Sequence, residues 1–287
     1  MLAVGALLVG CGGSASGNGT SAAASQVVKP TATYPGPDGL LAGGQPQANG
    51  DMWLLANSHG TANLQQLNLS TSKIDQIVPE STGANSLSQS SSGVIGVGVA
   101  TATTGALELR NGSSGVLLAT VPIGAPVKDV FAGYDGSTFY VLNGNSTSAS
   151  VTLVDSQTDK PSVSVPVPLD TTAIAVDPPG VNLFALGSAG KVDEITIGSQ
   201  TVAASYSVGS LPVALAISAS GSTLYVLNNH SSVASVGVID VATEHQTEAL
   251  PAPANAVGVQ VSVDGQSLYD IVGTSSYGNV QVFSITH

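Results

Sequence analysis

The chain repeats itself at a period just above forty residues. Segments of one strand-like pattern begin at Asp51, Val94, Thr138, Val181, Thr223 and Ser267, at steps of 43, 44, 43, 42 and 44 residues. A period in the low forties matches a four-stranded propeller blade, a unit that buries its faces only against its neighbours. Each start follows a glycine by one or two residues: Gly50, Gly93, Gly136, Gly180, Gly221 and Gly265. Such a glycine marks a tight hairpin, because the turn needs a positive φ that other residues adopt only at a cost. The third residue of a segment is usually large: Trp53, Tyr140, Leu183, Tyr225 and Tyr269, with Gly96 the exception in the second unit. Their regular spacing predicts packing between blades. A second alternating segment follows at a fixed offset, as in Val151–Asp155, Val236–Asp240 and Val280–Phe283. Alternation over four to six residues reads as strand, and no stretch has a helical period.

Each period is therefore strands b, c and d of one blade, then strand a of the next. The last unit stops after b and c. The first needs an inner strand before Asp51, which residues 39–43 supply, and residues 26–34 supply the missing outer strand d. The expected fold is all-β: a six-bladed β-propeller of four-stranded antiparallel blades, its last blade closed by the N-terminal strand. Seven blades would need about 40 further residues.

The segments Leu224–Asn229 and Val238–Thr243 resemble the YVTN family of β-propeller repeats, as do Asp135–Asn143 and Val151–Asp155. Leu211–Ser218 resembles the stretch that leads into that family's inner strand. The similarity is clear over residues 120–287 and weak over 39–119. It implies a lactonase-like propeller as one relative type, acting on a sugar lactone at the channel mouth.

Composition narrows the function. Of 287 residues, six are Lys or Arg and 18 are Asp or Glu, a net charge of −12. Nucleic-acid binding needs a basic face, so no nucleic-acid partner is expected. No apolar run reaches the ~18 residues of a membrane span. The one cysteine, Cys11, ends the apolar stretch Met1–Val9 and precedes a Gly/Ser-rich segment. This arrangement resembles a bacterial lipoprotein signal. Residues 1–10 are then a signal peptide, Cys11 the lipid attachment site and 11–25 a flexible tether. Residues 26–287 form a single propeller domain. The implied location is extracytoplasmic, membrane-anchored, in the periplasm or at the cell surface.

Catalytic signatures are missing. There is no Gly-x-Ser-x-Gly elbow and no His-Glu-x-x-His, and Gly190-Lys191 is followed by Val192 rather than a P-loop Ser or Thr. Gly96-Val97-Gly98 lies inside a strand with no helix after it. No cofactor and no metal site are expected. His59 and His230 fall in b–c loops of non-adjacent units, His245 in a c–d turn, and His287 ends the chain. In so charge-poor a chain, Lys128, Asp129 and Asp170 stand out, because they fall on d-to-a links of adjacent units at one rim of the channel. They are the candidate ligand-binding residues, set against an ordinary solvated loop whose ion pair contributes little. The expected function is a non-catalytic binding or scaffold module for an envelope protein or glycan. A lactonase-like hydrolase is the first alternative, and a structural protein that self-associates through its Ser/Thr-rich strand edges is the second.

Overall fold

The computed structural model describes residues 29–230 and 233–285. The lipoprotein signal, Cys11, the tether and His287 lie outside the described residues. The described chain forms 24 strands and no helix.

The first strand, β1 (Ala32–Gly36), belongs to the last blade. Blade 1 is β2 (Leu40–Gly43), β3 (Asp51–Ser58), β4 (Thr61–Asn68) and β5 (Lys73–Pro79). Blade 2 is β6 (Ala84–Gln89), β7 (Val94–Ala100), β8 (Gly105–Asn111) and β9 (Leu117–Pro122). Blade 3 is β10 (Val127–Ala132), β11 (Thr138–Gly144), β12 (Ala149–Asp155) and β13 (Lys160–Pro166). Blade 4 is β14 (Thr171–Val176), β15 (Asn182–Gly187), β16 (Lys191–Thr196) and β17 (Thr201–Ser207). Blade 5 is β18 (Pro212–Ile217), β19 (Thr223–His230), β20 (Val233–Asp240) and β21 (His245–Ala252). Blade 6 is β22 (Ala256–Val261), β23 (Ser267–Thr274) and β24 (Tyr277–Ser284), completed by β1. All six sheets are antiparallel and four-stranded, so the fold is a six-bladed β-propeller.

Closure follows the expected plan with a shifted strand. β1 pairs with β24 from Ala32↔Val282 to Gly36↔Gly278, later in the chain than residues 26–34. Thr31 adds a backbone and a side-chain bond to the Val282 carbonyl, at 2.7 and 3.0 Å. The six turn glycines all have positive φ, between 70° and 83°. Each allows the inner strand a to reverse into strand b without strain.

The fourth unit differs from expectation by one residue. Asp177 accepts hydrogen bonds from the backbone N–H groups of Val181 and Asn182, which keeps Val181 in the turn. The strand begins at Asn182, so its third residue is the aromatic Phe184, not Leu183. Phe184 packs on Leu215, Ile217 and Leu224 of blade 5. The third-position residues are indeed core between blades. Trp53, for instance, packs on Leu87, Ile95 and Val97 of blade 2 and donates its indole N–H to the Gly112 carbonyl at 2.7 Å. Gly96 breaks the pattern for a steric reason: a Cβ there would sit 2.5 Å from the Phe139 ring of blade 3. The aromatic of that interface has moved to the neighbouring blade.

Candidate functional site: the channel and its mouth

The six inner strands surround a central cavity of about 210 Å³. Its two ends differ. On the lower face, the a–b turn of blade 3 sends Tyr134 across the ring to donate its hydroxyl to the Ile217 carbonyl of blade 5, at 3.0 Å. Gln45 of blade 1 bonds the Val261 carbonyl of blade 6 on the same face. These links cross or tie the lower end. The upper end, framed by the d-to-a links and b–c turns, carries no such crossing among the described residues.

The mouth is built by one repeated device. Every inner strand has a register shift after its first residue, at Leu40/Ala42, Ala84/Ser86, Val127/Asp129, Thr171/Ala173, Pro212/Ala214 and Ala256/Gly258. A bulge inserts an unpaired residue and re-aims its side chain. Here the inserted residues are Leu41, Asn85, Lys128, Thr172, Val213 and Val257, one per blade, and all six line the cavity. The ring they form is two-sided. Blades 2, 3 and 4 contribute Asn85, Lys128 and Thr172; blades 5, 6 and 1 contribute Val213, Val257 and Leu41.

Polar groups also tie neighbouring blades along this wall. Asn85 donates to the Val127 carbonyl at 2.7 Å, Asn229 to the Ala256 carbonyl at 2.9 Å, and Gln260 to the Gly43 carbonyl at 3.0 Å. Asp129 accepts at one carboxylate oxygen from its neighbour Val130 N–H and at the other from Ile174 N–H of blade 4, both at 2.9 Å. Burial pushes the Asp129 carboxyl up to about 7 although both N–H bonds favour its ionised form.

The structure brings Lys128 and Asp129 to the cavity wall as consecutive residues of β10. Asp170 stands apart, exposed on the link before β14 and outside the cavity lining. Ion pairs of the described residues are Arg110 with Glu80 and Glu108, and Lys191 with Asp193. Lys128 is in none of them. His59 occupies the blade 1 b–c turn at φ 53°, with Ser58 as its hydrogen-bond partner. His245 opens β21 on the opposite face. Among the described residues no three His, Cys, Asp or Glu side chains cluster as metal ligands. The bulge ring has no signature in the sequence, because one inserted residue changes neither the alternation nor the spacing enough to see. The two-sided mouth was legible only in the structure.

A second cluster of charge lies away from the channel, between blades 1 and 2. Arg110, the only arginine, donates to Glu80 at 2.7 Å, to Glu108 at 2.8 Å and to the Gly115 carbonyl at 3.0 Å. Ser81 donates its hydroxyl to Glu108 at 2.5 Å. Burial pushes Glu80 up to about 7. Burial also acts to raise Glu108, but hydrogen bonds from Ser81, Glu80 and Arg110 outweigh it and hold that carboxyl below its ordinary range. The side chains are nearly inaccessible, so the cluster is a latch between blades rather than a ligand site. Breaking a buried pair from one side leaves an uncompensated charge and costs roughly 3 kcal/mol or more. Arg110→Met is expected to lose about that much in urea unfolding. Adding Glu80→Gln and Glu108→Gln should restore most of it, and an unchanged midpoint in the single variant would remove the latch.

No protein-family model matches the chain, and no curated protein matches it. Among solved structures the fold is similar to a chain of the Kuenenia stuttgartiensis hydrazine synthase. The two superpose with a TM-score of 0.66 at 11% identity, over 94% of this chain and 99% of the other. At that identity the likeness is one of fold alone.

Proposed function

We propose that the chain is an exported, lipid-anchored propeller that binds a protein of the cell envelope at the open mouth of its channel, without catalysis. The observation that carries this reading is the asymmetry of the channel. One end is spanned by Tyr134, while the other presents a two-sided ring with the Lys128 ammonium, which is in no ion pair among the described residues. Asp129 supports it too: both its carboxylate oxygens are engaged by backbone N–H groups, which suits a structural tie between blades 3 and 4. The Cys11 context, the Gly/Ser segment after it and the YVTN-like repeats supply the envelope address. Fold alone does not fix function, so the weight rests on the mouth.

The test uses the full chain in cells of its source. Wild type is expected in the membrane fraction and Cys11→Ser in the soluble fraction. Chemical crosslinking should capture one envelope protein with wild type and lose it with Lys128→Glu. Capture that is indifferent to Lys128→Glu would contradict a mouth-centred interface.

One observation favours a second reading. A carboxyl raised to about 7 beside a lysine in a cavity is the kind of group that serves acid–base catalysis. A lactonase-like hydrolase would open gluconolactone, and Asp129→Asn would abolish that activity. The expected result is hydrolysis no faster than in buffer for both proteins.

A further inference from the structure

Exposed apolar side chains occur on every blade, but on the upper face they gather to one side. On the upper face, Leu41, Leu211, Val213, Val233 and Tyr277 are all at least 39% exposed. They belong to blades 5, 6 and 1, the sector in which the mouth ring itself is apolar; Leu169, on the link before β14, is the exception. Leu211 is held there at φ 54°, a conformation unusual for a leucine, with its carbonyl accepting from Asn229 N–H at 3.0 Å. Tyr277 is fixed by Asn255, which donates to its hydroxyl at 3.1 Å. Exposed apolar groups gathered in one sector of a face, rather than scattered singly, mark a contact surface. This crescent ends at the ring, and across the ring stands Lys128, the one cation of the channel wall.

We infer that the mouth receives the free C-terminus of a polypeptide that ends in apolar residues. This rests on the binding-module reading above and gives its partner a chemistry. The α-carboxylate enters the polar sector and meets the Lys128 ammonium, while the last apolar side chains lie on Val213, Val257 and Leu41. Residues further from the end then run outward over Leu211 and Val233. Charge selects the ligand's sign locally: Lys128 is the cation among the cavity-lining residues, and its neighbour Asp129 has both carboxylate oxygens engaged by backbone N–H groups, which leaves the ammonium to meet an anion. Extent selects the polymer. A small carboxylic acid would fill the cavity and leave the crescent on the b–c and d–a loops bare.

The test is calorimetric titration of the full-length protein with acetyl-Ser-Ala-Val-Leu bearing a free carboxylate, with the same peptide as its C-terminal amide, and with hexanoate. The free acid is expected to bind at least tenfold more tightly than the amide and than hexanoate. Lys128→Met keeps the apolar stem and removes the charge, so acid and amide should become indistinguishable. Leu211→Asp should weaken both peptides about tenfold or more. Equal affinity of acid and amide for wild type, or hexanoate binding as tightly as the peptide acid, would overturn the inference. If either occurs while crosslinking still captures an envelope protein in a Lys128-dependent way, the ligand chemistry is wrong and the binding-module reading stands. If that capture is lost as well, both fall.

Discussion

Removing residues 26–38 is expected to lower the melting temperature of the protein by about 10 °C or more and to unprotect blade 6 first. The deletion takes away β1, and with it the outer strand of the only blade built from both ends of the chain. Five paired residues leave β24 with a bare edge, and Tyr34 leaves the cluster of Leu40, Met52, Leu54, Ile271 and Val280 that joins blades 6 and 1. A two- or three-kcal/mol loss already shifts a chain of this size by several degrees, and here ladder bonds and burial are lost together. The consequence also reaches the ring. Blades 1 to 6 are linked in order by the chain, but blade 6 meets blade 1 through packing, the Gln45 and Gln260 hydrogen bonds, the bond from Gly39 N–H to the Thr274 carbonyl and the strand that β1 returns. Hydrogen exchange should show amides of β23 and β24 opening well before those of β11 and β15. A truncated protein that melts with wild type would refute this closure.

The second large effect concerns Asp270. At the fourth position of strand b the other blades carry Leu54, Val97, Val141, Ala185 and Val226, all apolar; only blade 6 places an acid there. Asp270 is 1% exposed and one carboxylate oxygen has no partner. It faces a pocket of about 10 Å³, room for roughly one water, lined by Val236, Leu250, Pro251, Leu268, Phe283 and Ser284, with no charged side chain. Burial pushes its carboxyl up to about 7. The native state therefore holds this proton up to about neutral pH, while the unfolded chain loses it near 3.8. Stability from this group is fully present below the unfolded value and is lost as pH rises from there through about 7. Glu80 and Asp129, raised to about 7 by burial as well, act in the same direction. The wild type is thus expected to be more stable at pH 5 than at pH 8. Asp270→Val should add on the order of 3 kcal/mol at pH 8, since three pKa units correspond to about 4 kcal/mol, and should flatten the pH dependence. Melting curves at the two pH values decide it: a variant no more stable than wild type at pH 8 would mean that Asp270 is solvated or paired in the folded state.

The blade plan was legible in the chain because each blade must satisfy the same demands. A turn glycine recurs where φ must be positive, and alternation recurs where one face is buried. The closing strand was placed too early, since no residue type in 26–36 marks where pairing begins and only the partner β24 selects the register. Gly96 looked like a weak unit because its compensating ring, Phe139, sits in the next blade. Lys128 and Asp129 could be singled out by rarity of charge, and both reach the cavity wall. Asp170 had the same signal, yet it lies on the exposed link before β14, where rarity of charge says nothing about aim. The apolar half of the mouth carried no signal, because Val213, Val257 and Leu41 read as ordinary strand residues. Asp270 carried no signal on its own; it stands out as the one acid among equivalent apolar positions only once the strand registers are known.

The most direct test of mouth-centred binding compares the two faces of the same molecule. A photo-crosslinking residue is placed at Thr172 on the mouth ring or at Thr158 in the lower c–d turn of blade 3, in full-length protein expressed in cells of its source. The expected result is one envelope protein captured from Thr172, lost with Lys128→Glu, and nothing above background from Thr158. Equal capture from both positions, or capture from Thr158 alone, would contradict recognition at the channel mouth.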